Sequence, residues 1–157
     1  MLIFRHYEAP NRAELAMKLA VLCRKKRLKL MVAGDLGLAI KTRAGLHLPD
    51  FMAKRATPRI RLWQRRGGSL TAAAHGRSGL RRAAELGAEA ALLSPVFATL
   101  SHPHGKALGS IAFRHLAREA KLPIIALGGI RASNVLELKG APIAGVAAVG
   151  ALKARSE

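Results

Sequence analysis

Two glycine-bearing turns near the carboxyl end of the chain are the first candidates for chemistry. Ala126-Leu127-Gly128-Gly129-Ile130 and Val146-Ala147-Ala148-Val149-Gly150 each continue an apolar run that reads as a buried strand. Glycine lets main-chain N–H groups approach an oxyanion closely, and a helix N-terminus beyond the turn adds a favourable dipole. Ser133 and Asn134 stand where such a helix would begin. The same glycines would equally serve a plain tight turn. Residues 98–109 form a long stretch rich in His, Pro and Gly, and long loops inside compact domains are usually functional. His102, His104 and Lys106 make it cationic, but their spacing gives no tetrahedral metal site. His47 ends an apolar run and reads as structural, whereas His115 falls in a helical pattern and reads as a surface residue. Cys23, the only cysteine, cannot form an internal disulfide, and its apolar neighbours Leu19, Ala20, Val21 and Leu22 point to a buried thiol in a reducing cytoplasm.

The elements that must position these residues alternate. Seven apolar runs, at residues 2–7, 28–33, 45–48, 70–74, 91–97, 123–127 and 145–149, are separated by segments with helical periodicity. That alternation is the signature of a parallel sheet, and the lack of polar alternation within the runs indicates helices covering it. Helices are expected at residues 13–26, 35–42, 79–86, 111–120 and 133–138, the first with Leu15, Leu19 and Leu22 on one face and Asn11 as its cap. Residues 51–68 carry Lys54, Arg55, Arg59, Arg61, Arg65 and Arg66 and read as an exposed basic segment rather than a packed element. Periodicity alone allows either an open doubly wound sheet or a barrel.

With 157 residues, half of them apolar, the chain suffices for a single domain spanning residues 1–157. Its 27 Lys and Arg against 9 Asp and Glu give a formal charge of +18, which attracts anions. Phosphorylated metabolites and nucleic acid both fit that charge, the latter through residues 55–66 and 24–29, although few aromatics are present for base stacking. No apolar run approaches the ~20 residues of a membrane span, and no signal-peptide core precedes residue 10, so a soluble cytoplasmic protein without membrane partners is expected.

Four segments, in order, carry a resemblance. Residues 92–109, L-L-S-P-V-F-A-T-L-S-H-P-H-G-K-A-L-G, resemble the G-P-V-F-x-T-x-S/T-K-x…L-G stretch of the thiamine phosphate synthase and TenI family. A-L-G-G-I, G-V-A-A-V-G-A and G-L-H-L are similar to that family's G-I-G-G-I, G-V-A-V-I-S-A and G-V-H-L segments. The resemblance covers residues 2–152 and implies a (β/α)8 barrel of TIM type, with the two carboxyl-terminal glycine turns, at Gly128, Gly129, Val149 and Gly150, binding phosphate. Because the Arg5 strand matches the family's second, the barrel is expected to be incomplete, with seven strands and the first missing ahead of Met1. An open sheet edge invites pairing and leaves homo-oligomerisation open.

The implied activity couples a hydroxymethylpyrimidine diphosphate with a thiazole phosphate to give thiamine phosphate and diphosphate, using Mg2+ and basic residues to stabilise the departing charge. Arg5 stands at the arginine of the family's Q-x-R-E-K strand, but Ile3 and Tyr7 replace its glutamine and lysine. Asp35 alone matches the metal-binding N-D pair, one position displaced; Met52 occupies the place of the second metal aspartate, with Asp50 two residues earlier. The metal carboxylates are thus largely absent. Thr99 and Ser101 match the hydroxyl positions, while His102 replaces the phosphate-binding lysine, whose part Lys106 could take. His75 falls where TenI-like thiazole tautomerases carry a catalytic histidine, which makes tautomerisation the alternative activity. A non-catalytic basic nucleic-acid-binding protein is the second alternative.

Overall fold

The computed structural model describes residues 1–53, 57–99 and 106–149. Strands β1 (Leu2–Phe4), β2 (Leu30–Ala33), β3 (Gly45–Leu48), β4 (Leu70–Ala74), β5 (Ala90–Leu93), β6 (Ile124–Ala126) and β7 (Gly145–Val146) form one sheet in sequential order. Every pairing is parallel, with Ala33 opposite His47 and His47 opposite Thr71. Helices α1 (Arg12–Lys25), α2 (Leu36–Thr42), α3 (Asp50–Ala53), α4 (Pro58–Arg65), α5 (Arg77–Glu85) and α6 (Gly109–Glu119) make the crossovers, and a four-residue 3-10 turn at Val135–Leu138 links β6 to β7. The seven expected strands are all present. Among the described residues no strand pairs with the outer edge of β1 or of β7.

All four positions of β2, β3 and β5 are buried, as strands covered on both faces must be. Leu30, Val32, Leu46, Leu48, Ala91 and Leu93 of these strands join Phe113 of α6 and Leu80 and Ala83 of α5 in one core. The flanking strands are shorter than their apolar runs. β1 stops at Phe4 because Arg5, His6 and Tyr7 are exposed, and β7 pairs only through Gly145 and Val146.

Two helical expectations need correction. α1 buries Ala16, Ala20 and Cys23, with Leu15 and Leu19 flanking, while Leu22 is 51% exposed. Small side chains at i, i+4 and i+7 let the helix lie close to the sheet, so the leucines flank the contact instead of making it. Asn11 precedes α1 without a side-chain cap hydrogen bond. The basic stretch after residue 50 is not an unpacked segment: it contains α3 and α4, with Ile60 buried and Trp63 packed on the core. Pro58 opens α4 with its φ preset for a helix, and a Cβ at Gly68 would fall inside the Trp63 ring, so the glycine makes room for the indole. Lys54 and Arg55 lie outside the described residues.

Candidate site at the carboxyl ends of the strands

A parallel sheet points every strand's carboxyl end the same way, and the residues just beyond those ends form the natural site of such folds. Here they are Arg5 after β1, Asp35 after β2, Asp50 after β3, His75 after β4, residues 94–99 after β5, Gly128 and Gly129 after β6, and Val149 beyond β7. Ser101, His102 and Gly150 lie outside the described residues.

The glycine turn is built by close approach. Gly128 (φ 95°) and Gly129 (φ 65°) both adopt left-handed backbone. A Cβ on Gly128 would sit 2.7 Å from Pro95 Cα, and one on Gly129 would sit 2.7 Å from the Phe97 carbonyl oxygen. The turn's carbonyls are occupied: Phe97 N–H donates to Gly128 O at 3.0 Å, and Asn134 Nδ2 donates to Gly129 O at 2.9 Å. Asn134 Oδ1 accepts from Arg131 N–H at 2.8 Å, which fixes the loop from both sides. The amides of Gly128, Gly129 and Ile130 donate to nothing among the described residues. Carbonyls tied back and amides left over is an arrangement suited to an oxyanion. The expected helix N-terminus contributes little, since the helix reduces to the 3-10 turn at Val135–Leu138.

The carboxylates are committed to protein partners. Asp35 Oδ1 accepts the Leu38 N–H at 2.8 Å as the N-cap of α2, and its Oδ2 accepts from Arg12 Nη1 at 3.1 Å. Arg12 also donates to Ala33 O at 2.7 Å and lies over the rings of Phe4 and Tyr7 at 5.7 and 5.6 Å. Asp50 Oδ1 accepts from Arg82 Nη2 at 2.6 Å. Met52 Sδ lies 3.1 Å from where a Gly34 Cβ would be, so a neutral thioether stands beside the residue that precedes Asp35. Magnesium wants several hard oxygen donors with uncommitted lone pairs. Arginine-paired carboxylates and a thioether do not fit it, and no group of three or more His, Cys, Asp or Glu among the described residues could hold a metal ion.

Asp35→Ala is therefore expected to cost about 1 kcal/mol for the lost cap and up to about 1 kcal/mol for the ion pair. Asp35→Asn keeps the cap and should lose only the second part. Denaturant melts of both variants, with and without MgCl2, measure this, and added magnesium should move neither midpoint.

The histidines divide by burial. His47 is buried, shares a 3.0 Å hydrogen bond with Thr71 Oγ1, and has its pKa lowered to about 4, first by burial and then by the Arg5 charge. It is neutral near pH 7. His75 is exposed, and its Nδ1 lies 2.7 Å from the Ser94 carbonyl oxygen. A carbonyl can only accept, so Nδ1 carries the proton and the neutral ring presents Nε2 as a base. Thr99 is half-buried, Lys106 is exposed, and His115 pairs with Glu119 on the outside of α6.

Arg12, Arg82, Ser94 and the Asn134 amide were not singled out as functional from sequence. One signal existed for Arg12: a cation in the first turn of a helix opposes the dipole, which asks for a nearby carboxylate.

Fold and site together define a protein of the (β/α)-barrel class, with main-chain amides that have no partner among the described residues at the carboxyl end of β6. The sequence model of the thiamine monophosphate synthase (TMP-TENI) family matches residues 1–152, and the chain belongs to that family. It is 30% identical over 152 residues to a putative thiamine-phosphate synthase of Geobacter sulfurreducens, covering 94% of this chain and 70% of that protein. It is 28% identical over 123 residues to putative thiamine-phosphate synthase 2 of Aquifex aeolicus, covering 74% and 62% respectively. The chain thus spans about two thirds of the length of these relatives. A thiamine phosphate pyrophosphorylase from Pyrococcus furiosus shares the fold with a TM-score of 0.76 at 23% identity, over 94% of this chain and 70% of that one. Among the described residues no helix is long and apolar enough to cross a membrane.

Proposed function

We propose that the chain acts as a transferase of the thiamine phosphate synthase type, joining a hydroxymethylpyrimidine diphosphate to a thiazole phosphate. The C–O bond between the pyrimidine methylene and diphosphate breaks, diphosphate leaves with the electron pair, and the thiazole nitrogen supplies the pair for the new C–N bond. The observation that carries this reading is the Gly128-Gly129 turn, whose amides have no partner among the described residues while both its carbonyls are tied back. We assign the thiazole phosphate to those amides and to Val149 and Gly150. Arg5 takes the diphosphate, because a guanidinium binds phosphate oxygens bidentately and keeps its charge at any working pH. Thr99, Ser101 and His102 are its further candidate ligands.

With Asp35 and Asp50 held by arginines, charge on the leaving group falls to these basic and hydroxyl side chains in place of a carboxylate-bound Mg2+. A weaker clamp means slower chemistry. A coupled assay with both phosphorylated substrates tests the reading, and Arg5→Gln should lower turnover by about 10²-fold or more if it stabilises the departing charge. Undiminished turnover in that variant would remove Arg5 from the site.

One observation favours a second reading, a thiazole tautomerase. The Ser94 carbonyl fixes the His75 tautomer and leaves Nε2 able to exchange a proton. His75→Gln should lower tautomer turnover by about 10²- to 10⁴-fold, the usual contribution of a general acid or base, while leaving the coupling reaction within a few-fold. Assaying the thiazole tautomer alone separates the two.

A further inference from the structure

The opposite end of the sheet carries a cluster of basic residues. The basic segments around residues 24–29 and 59–66 are distant in sequence, yet the fold brings Arg24, Lys29 and Arg66 together with Arg43 and Trp63 around one cavity of about 370 Å³ at the amino ends of β2, β3 and β4. No acidic residue lines it. Lys29 is paired with Glu89 at 2.6 Å, but Arg24, Arg43 and Arg66 have no side-chain hydrogen bond or ion pair among the described residues.

Cations at the carboxyl ends of helices offset the dipole, which accounts for Arg24 and Arg66 one at a time. It does not account for three arginines, none with a side-chain partner among the described residues, lining the same concavity. Nor does it account for Arg43, which ends α2 at φ 53°, ψ 36°, a left-handed position that glycine or asparagine normally fills. An arginine there costs about 1 kcal/mol or more of backbone strain, and strain of this kind collects at ligand-binding positions.

We propose that this cavity binds a nucleoside di- or triphosphate, with the phosphate chain on Arg24, Arg43 and Arg66 and the base against Trp63. Guanidinium forks suit phosphate oxygens, and three of them match the charge of two or three phosphates. A polynucleotide that lays several bases on a protein needs successive aromatic platforms. One indole in a compact cationic cavity suits a single base.

Trp63 is the chain's only tryptophan, so its fluorescence reports on this end of the molecule and not on the glycine turn. Titrating the full chain with ATP and ADP in a chelator should give a saturable change, whereas adenosine gives none at the same concentrations. Inorganic triphosphate should displace ATP while binding more weakly. The double variant Arg24→Gln/Arg66→Gln should weaken ATP binding by at least about tenfold, since two charge-assisted contacts are lost. The same variant should keep the melting shift caused by thiazole phosphate, which shows that it is folded; Arg66→Gln alone serves if the pair proves unstable. No tryptophan response to ATP, or unchanged affinity in the variants, would overturn the proposal. A response to single-stranded RNA but not to ATP would overturn it in favour of a polynucleotide surface, and equal affinity for inorganic triphosphate would remove the base subsite.

Discussion

Alanine at Gly129 is expected to destabilise the protein by about 2–5 kcal/mol and to abolish the melting shift produced by a thiazole phosphate. The first part comes from two costs. A Cβ in the left-handed region costs about 1–2 kcal/mol, and forcing atoms into a packed region adds about 1–3 kcal/mol. The new methyl would lie 2.7 Å from Phe97 O and closer still to Ala98 O, both main-chain atoms that no rotamer change can remove. Relief would have to come from separating the β5 loop from the β6 turn, which are joined by the Val96–Leu127 and Phe97–Gly128 hydrogen bonds of 2.9 and 3.0 Å. Separation swings the Gly128 and Gly129 amides away from a shared target, so binding fails with stability. Urea melts give the first number and ligand-induced shifts the second. If Gly129→Ala melts normally and still binds thiazole phosphate, the turn is not the anion site.

How far these features were legible in the sequence depended on whether one residue type dictated its own environment. Gly45-Leu-His-Leu48 and Leu70–Ala74 were read to the residue because a buried parallel strand reads as a near-continuous apolar run, interrupted here only by His47 and Thr71, which bond to each other. The glycine turn was legible for a related reason, since few other residues tolerate its backbone. α4 was missed because composition hides packing: four arginines among residues 59–66 outweighed the Ile60 and Trp63 pair, whose spacing of three marks a buried helical face. Asp35 was legible as a carboxylate at a strand end, but not in its role. The same side chain can cap a helix, pair with an arginine or hold a metal, and only the position of Arg12, 23 residues earlier, decides among them. Asp50 is decided in the same way by Arg82, 32 residues later. Long-range pairing of this kind leaves no local periodicity to read.

The same dependence on distant neighbours makes His47 the source of the largest expected pH effect. Burial, and secondarily the charge of Arg5, lower its pKa from 6.5 to about 4, so the unfolded chain takes up a proton in that interval and the folded chain does not. Stability therefore rises with pH through the window: it is fully present above about pH 6.5 and falls as pH drops toward 4. At about 1.4 kcal/mol per pH unit the total is about 3 kcal/mol, a large share of a typical domain stability of about 5–15 kcal/mol. Glu14 and Glu89 are held below 4.5 by Lys18 and Lys29, so their losses on acidification come lower on the scale. The interval from pH 6.5 to 4.5 consequently isolates the histidine. Guanidinium midpoints across that interval should slope steeply in the natural protein and flatten in His47→Gln, which removes the titrating ring while leaving Thr71 Oγ1 a polar neighbour. An equal slope in both proteins would show that protonation of some other group governs acid stability, and that the ring between Ala33 and Thr71 accepts a proton without unfolding.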